Sequence, residues 1–231
     1  MMDGAMVVNG ARLHPDPSAA LWWPAERMLI VSDLHFEKGS AMARRGHGLL
    51  PPYDSAATLT LLEGLLAKYR PARLLALGDS FHDGEAFARL SRDETDRLTA
   101  LSQRQEMIWI SGNHDPEPPA HIGGRVLAEY RCGPLLFRHE PQPGRATGEV
   151  AGHLHPKARV RGRGRSVRAR CFVTDGLRLI VPAFGAYTGG LDVMDAAFRP
   201  HFPGAFHAWM LLRDRVHPVR SSRLAGTPMD A

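Results

Sequence analysis

Met107-Ile108-Trp109-Ile110-Ser111-Gly112-Asn113-His114-Asp115 is a short apolar run followed at once by a polar turn. The run suits a buried strand, so the amide, imidazole and carboxylate that follow are expected at a strand's carboxyl end. The same construction recurs along the chain. Met28–Val31 leads into Ser32-Asp33-Leu34-His35, Leu74–Leu77 into Gly78-Asp79, and Val150-Ala151 into Gly152-His153-Leu154-His155. His139 follows Leu135-Leu136-Phe137. Helical patterns lie between the first three strands. Leu59, Leu62, Leu65 and Leu66 recur at helical spacing within Ser55–Tyr69, with Asp54 as the expected N-cap and Pro71 as the stop. Arg92–Gln105 is a second, more polar helix. Strand, helix, strand, helix, strand predicts an α/β sheet with functional groups at the carboxyl ends of its strands.

After Pro119 the pattern changes to short apolar or alternating runs split by Gly and Pro: Arg125–Tyr130, Leu135–Phe137, Val150-Ala151, Ala158–Arg161, Val167–Val173, Leu177–Pro182 and Ala205–Leu212. This half is expected to form a second sheet packed on the first. No repeat or linker is visible, so residues 1–231 are read as one domain. Phe36 to Asp54, rich in Gly, Pro and cations, reads as a surface loop with room for a short helix.

Composition bounds the function. Hydrophobic residues at 44% and charged residues at 23% are those of a globular protein with a substantial core. No run is long and apolar enough for a membrane span, and no basic stretch precedes an apolar one near the N-terminus. A cytoplasmic protein with no membrane partner is expected. Cys132 and Cys171 form no C-x-x-C pair and read as reduced thiols. The net charge is +5. Lys157, Arg159, Arg161, Arg163, Arg165, Arg168 and Arg170 supply seven positive charges with no acid among them, so the remainder is near neutral.

The polar clusters combine carboxylate, amide and imidazole, the ligand mix for a pair of divalent transition metals. Asp33 and His35 are two apart, which in a continuing strand puts both on one face. Asp79 is placed to bridge two ions roughly 3.5–4 Å apart. Asn113 offers a neutral oxygen, His153 and His155 nitrogens for separate ions, and His139 one more. The set suits manganese, with iron, zinc or cobalt as alternatives. It points to phosphate-ester hydrolysis.

These motifs, from Ile30 to about His155, resemble the calcineurin-like metallophosphoesterases. The resemblance implies a two-sheet α/β sandwich flanked by helices. It implies one metal held by Asp33, His35, Asp79 and His155, and another by Asp79, Asn113, His139 and His153. His114 would contact the substrate phosphate and protonate the leaving oxygen, oriented by Asp115. Two positions depart from the family pattern. His82 stands where Asp or Arg is usual, with Asp83 one further, and Glu140 follows His139 in place of Gly.

A narrower similarity rests on Phe36-Glu37-Lys38-Gly39-Ser40, Ala43-Arg44-Arg45-Gly46, Leu50-Pro51-Pro52-Tyr53-Asp54 and Pro182-Ala183-Phe184-Gly185-Ala186-Tyr187-Thr188-Gly189-Gly190. These resemble the bacterial ligase-associated branch, PdeM. That resemblance implies a DNA endonuclease role in repair and a functional association with a DNA ligase.

The basic segments stay open between two readings. Arg161, Arg163 and Arg165, alternating with Gly, form either a solvated hairpin tip or a track for phosphates. Arg44 and Arg45 form either an ordinary surface or the opposite rim. Of Trp22 and Trp23, adjacent in a strand, one is expected to face in and one out. The principal reading is a two-metal phosphodiesterase acting on nucleic acid. Its rivals are a small-molecule phosphohydrolase and a non-catalytic interaction module.

Overall fold

The computed structural model describes residues 4–44, 46, 53–115, 122–162 and 164–226. The chain opens with an antiparallel meander of β1 (Met6–Val8), β2 (Ala11–Pro15), β3 (Leu21–Trp23) and β4 (Met28–Val31). All four residues of β4 are buried. A strand covered on both faces has no polar side to present, which is why this run is continuously apolar. Helices α1 (Lys38–Arg44) and α2 (Asp54–Tyr69) carry the chain to β5 (Arg73–Leu77), parallel to β4. After α3 (Ala86–Arg89) and α4 (Arg92–Arg104) comes β6 (Glu106–Ile110), parallel to β5, then β7 (Arg125–Leu127), parallel to β6. Among the described residues the first sheet runs in order β1-β2-β3-β4-β5-β6-β7.

The second sheet begins immediately. Arg125–Tyr130, expected as one run, divides between β7 of the first sheet and β8 (Glu129–Cys132) of the second. Next come β9 (Leu135–Arg138), β10 (Glu149–Ala151), β11 (Lys157–Gly162), β12 (Arg165–Thr174), β13 (Leu179–Ile180), β14 (His207–Leu211) and β15 (Val216–Arg220). Their order is β15-β14-β12-β13-β10-β9-β8, with β11 paired to β12 alone. β9, β10 and β13 are mutually parallel.

One core cluster joins both sheets, including Leu29, Leu75 and Ile108 from the first and Phe137, Val150 and Phe172 from the second. Trp23 meets Phe137 across this interface, ring centroids 6.2 Å apart. Leu59, Leu62 and Leu65 of α2 and Leu98 and Leu101 of α4 join the same cluster. The Arg97–Glu63 ion pair, 2.8 Å, clips the two helices together. A smaller cluster, with Phe198, Phe202 and Met210, packs on the second sheet. The result is the expected α/β sandwich of two sheets with flanking helices. No helix among the described residues is long and apolar enough to cross a membrane.

Two local expectations need correction. Asp54 does not cap α2. Tyr53 holds that position without a side-chain bond, and the buried Asp54 carboxylate accepts the Gly39 amide at 2.8 Å instead. Ser91 of α4 makes a full capping box with Glu94. The segment after Phe36 is not wholly surface loop, because Phe36 and Ala41 are buried and Lys38–Arg44 is helical. Trp23 is buried as a core residue, and Trp22 stacks on Tyr69 of α2 at 5.2 Å between rings.

Candidate metal centre

The candidate ligands follow strands from both sheets, β4, β5 and β6 in the first and β9 and β10 in the second. β4, β5 and β6 are in register at their carboxyl ends, Val31 opposite Ala76 and Leu77 opposite Ile110. The loops bearing Asp33, Asp79 and Asn113 therefore emerge side by side. In the second sheet Ala151 lies opposite both Arg138 and Ile180, which brings His139, His153 and the segment after Ile180 to the same edge. Each sheet thus presents its strand ends to the other.

The ligand loops do not continue the strands. Asp33, His35, Asp79, His153 and His155 all have positive φ, from 45° to 67°. Left-handed backbone is costly for residues with a Cβ and recurs at functional sites. The strand alternation expected for Asp33 and His35 is therefore replaced by two left-handed turns, which swing both side chains inward. Cross-loop backbone bonds hold this path: Asp33 N–H donates to Gly78 O at 3.2 Å and His35 N–H to Asp79 O at 2.9 Å.

Two ligand clusters result. Asp33, His35 and His155 bring one atom each within 4.8 Å of one another, as do Asp79, His139 and His153. In the first, His155 Nε2 stands 3.1 Å from Asp33 Oδ1. Yet Asp33 Oδ1, His35 Nε2 and His155 Nε2 are all buried without a hydrogen-bond partner. Burial pushes the His35 imidazole down to about 3, leaving it neutral with a lone pair. Three buried, converging donors with nothing to bind fit a cation.

In the second cluster His139 Nδ1–H donates to Leu77 O at 2.8 Å, which fixes the tautomer and leaves Nε2 as the free nitrogen. Nε2 faces Asn113 Oδ1 at 2.9 Å, Asp79 Oδ2 at 3.3 Å and His153 Nδ1 at 3.3 Å. Burial lowers this imidazole, but Asp79 and Asp33 outweigh it and hold it up at about 9. A proton on Nε2 and a cation beside it would satisfy the same oxygens, so this cluster also fits a metal. Asp79 connects the two, its Oδ2 also lying 3.9 Å from His35 Nε2.

Glycines make the approach possible. A Cβ on Gly112 would lie 2.2 Å from the Asp79 amide nitrogen and from Asp79 Oδ1. One on Gly152 would lie 1.9 Å from Ser32 Oγ, the hydroxyl that donates to Asp33 Oδ2 at 2.5 Å.

His114 lies at the rim, its side chain 39% exposed and Nε2 4.0 Å from Asp79 Oδ2. Its expected partner is corrected. His114 Nδ1–H donates to the carbonyl of His82 at 2.8 Å, and the two rings stack at 5.2 Å. Asp115 instead accepts the amides of Ser80 and Phe81, at 2.8 and 3.0 Å. It therefore anchors the loop that carries Asp79. Burial, with Asp79 adding to it against those amides, pushes its carboxyl up to about 7. Asp83 pairs with Arg89 at 2.9 Å.

The basic residues separate. Arg44 pairs with Glu85 at 3.1 Å on the surface. Arg45 and Arg163 lie outside the described residues. β11 and β12 form a hairpin in which Lys157 faces Arg170 and Gly162 faces Arg165. Arg161 and Arg165 thus stand near its tip, roughly 17 Å along the strands from the base. Within the hairpin, the cations nearest the ligand loops are Lys157 and Arg170, at its base. The segment 182–190 carries no carboxylate or imidazole, yet it belongs to the site. It packs on the metal loops, with Phe184 N–H donating to Ser32 O at 2.8 Å and Gly185 N–H to Asp33 O at 3.2 Å. Ser32, His82 and Gly152 also belong to the site, through their contacts with Asp33 and His114.

No functionally curated protein matches the chain. Among solved structures, the Pseudomonas putida nuclease MPE is 30% identical, with a TM-score of 0.75, over 93% of this chain and 98% of that one. The E. coli phosphoesterase Yfce is 15% identical with a TM-score of 0.43, over 85% of this chain and 98% of that one. Residues 26–195 match the calcineurin-like phosphoesterase family, a span that contains every residue of both clusters. The chain belongs to the calcineurin-like phosphoesterases, hydrolases that bind two divalent metals.

Proposed function

We propose that this chain is a phosphodiesterase of nucleic acid, acting on DNA in repair, with manganese in both metal sites. The observation that carries the reading is the pair of buried ligand clusters joined through Asp79. Asp33, His35, Asp79 and His155 would hold one ion, and Asp79, Asn113, His139 and His153 the other. Two such ions supply Lewis acidity, which lowers the pKa of water and neutralises charge developing on phosphate. Because the ligands come from both sheets, residues 1–231 act as one catalytic unit.

The chain's own groups do the rest. His114 Nδ1–H is committed to the His82 carbonyl, so in the imidazolium form Nε2 is the nitrogen whose proton can be transferred. It faces outward beside Asp79, where it can give that proton to the leaving oxygen. His82 sets the ring's direction by its carbonyl and by stacking. Asp115 holds the Asp79 loop, and Ser32 holds Asp33.

A nucleic-acid substrate is supported by the likeness to a nuclease and by the basic hairpin at the site's edge. A role beside a DNA ligase is supported by the similarity of the segments around Phe36, Leu50 and Pro182. The test is a panel on manganese-loaded protein: a chromogenic diester, a monoester, cyclic nucleotides, and single- and double-stranded DNA. Near two ions per chain, diester hydrolysis and DNA cleavage are expected, and Asp79→Asn should lose both metals and turnover. One tightly bound ion with full activity would refute the two-metal reading. Hydrolysis confined to cyclic nucleotides or monoesters would favour the small-molecule phosphohydrolase.

A further inference from the structure

Beside the first ligand cluster lies a cleft of about 540 Å³ between α2, the base of the β11–β12 hairpin and the segment 184–188. Its walls include Lys157, Arg168 and Arg170, with Thr58, Tyr187 and Thr188. None of these has a part in the mechanism above.

The cleft is built into the metal centre. Its inner wall is the segment whose Phe184 and Gly185 amides donate to Ser32 O and Asp33 O. A Cβ on Gly185 would lie 1.9 Å from Leu34 O, so this wall touches the turn between Asp33 and His35. Its cationic wall starts two residues after His155. Gly190 packs against both, since a Cβ there would lie 2.2 Å from His155 O and 2.9 Å from Lys157 Cε. A ligand in the cleft and a phosphate at the metals are therefore neighbours.

The three cations are also spare. Arg73, Arg89, Arg97, Arg138 and Arg178 each meet a carboxylate. Among the described residues no carboxylate pairs with Lys157, Arg168 or Arg170. The hydrogen bonds of the two arginines go to carbonyls, Arg170 to Ala183 at 2.8 Å and Arg168 to Gly190 at 3.5 Å. Arg170 is thereby fixed and braces the inner wall, while Lys157 and the exposed Arg168 keep donors for a ligand. Concentrated positive charge in a concave, acid-free site selects a phosphate.

We infer that this cleft binds the phosphodiester next to the one being hydrolysed, so that Lys157 and Arg168 make the enzyme prefer a polynucleotide to an isolated diester. The inference rests on the nucleic-acid reading and names the residues that give it effect. The tip arginines Arg161 and Arg165, at the far end of the hairpin, contribute less.

The test compares Lys157→Ala, Arg168→Ala and Arg168→Lys with the parent protein. One arm measures kcat and KM, manganese-loaded, on a single-stranded oligonucleotide and on a small chromogenic diester. The other measures binding of that oligonucleotide to metal-stripped protein against salt. Each alanine variant should raise KM for the oligonucleotide about tenfold. Hydrolysis of the chromogenic diester should stay within about twofold, because that substrate does not reach the cleft. The slope of log K against log salt should flatten by about 0.7 per removed contact, and Arg168→Lys should restore most of it. Unaltered oligonucleotide KM and salt slope, in a protein that cleaves DNA, would overturn the subsite. Equal losses on both substrates would overturn it too, by showing general damage. A parent protein that hydrolyses the chromogenic diester but neither binds nor cleaves DNA would instead overturn the nucleic-acid reading itself.

Discussion

Replacing Gly152 with alanine tests how the first ligand cluster is held. The new methyl would stand 1.9 Å from Ser32 Oγ and 2.7 Å from Asp33 Oδ2. Both atoms are buried, and they form the 2.5 Å hydrogen bond that orients the carboxylate. The backbone cannot retreat freely, because Gly152 N–H donates to His139 O at 3.0 Å. Overpacking of this kind costs about 1–3 kcal/mol. Losing the hydroxyl's bond to a charged partner adds about 1.5–3 kcal/mol. At about 2–4 °C per kcal/mol for a chain of this size, Tm should fall by roughly 5–25 °C. Because the displaced oxygen belongs to the carboxylate of a proposed ligand, Asp33, metal content should fall as well. Thermal unfolding with and without manganese, and elemental analysis, measure the two effects. Adding Ser32→Ala removes the nearest atom, so the double variant should be more stable than the two single losses summed. Strict additivity, or a Gly152→Ala protein with the parent's Tm and two metals, would refute this account.

Two further outcomes follow from other contacts. His114→Ala should keep both metals yet lower kcat by roughly 10²–10⁴ on diesters with poor leaving groups, and by less on a nitrophenyl ester; equal losses, or loss of a metal, would show a different role. Asp16 accepts from Lys68 Nζ and Tyr69 Oη, both at 2.6 Å, tying the β2–β3 turn to α2. Burial raises its carboxyl, but these partners and the Ser18 amide outweigh it and bring it down to about 2. A depressed carboxylate stabilises the fold above its unfolded value near 3.8 and loses that contribution as pH falls toward 2. Allowing for solvent screening of the half-exposed Lys68, the contribution is about 1–2 kcal/mol. Asp16→Asn should therefore lower Tm by roughly 2–8 °C at pH 7, with a gap that narrows below pH 4; a constant gap would refute the assignment.

The architecture was legible where burial alone sets the pattern. Met28–Val31, Leu74–Leu77 and Met107–Ile110 are continuously apolar because both faces are covered, and each delivers a polar turn to the same edge. What the sequence hid was backbone conformation beyond the strand. Nothing in Ser32-Asp33-Leu34-His35 announces left-handed φ at two residues with side chains, so strand alternation was the wrong route to their shared face. The partners of His114 and Asp115 were hidden for a related reason. Both bonds run to backbone groups of the 80–82 loop, and main-chain donors and acceptors carry no residue signature. The basic run was visible as charge, but only the hairpin register separates Lys157 at the site from Arg165 near the tip.

Each cluster draws on both halves of the sandwich, Asp33 and His35 with His155 in one, Asp79 with His139 and His153 in the other. Ions held there would act as removable cross-links between segments far apart along the chain. Unlike a disulfide, such a tie is absent from the unfolded chain, so it stabilises through the free energy of binding to the folded form alone. It also resists sliding of one sheet over the other at the edge where no side-chain core can. Catalytic competence and mechanical closure would then be lost together on chelation. The protein would loosen first where its chemistry is done, leaving the apolar interface around Trp23 and Phe137 to hold the remainder.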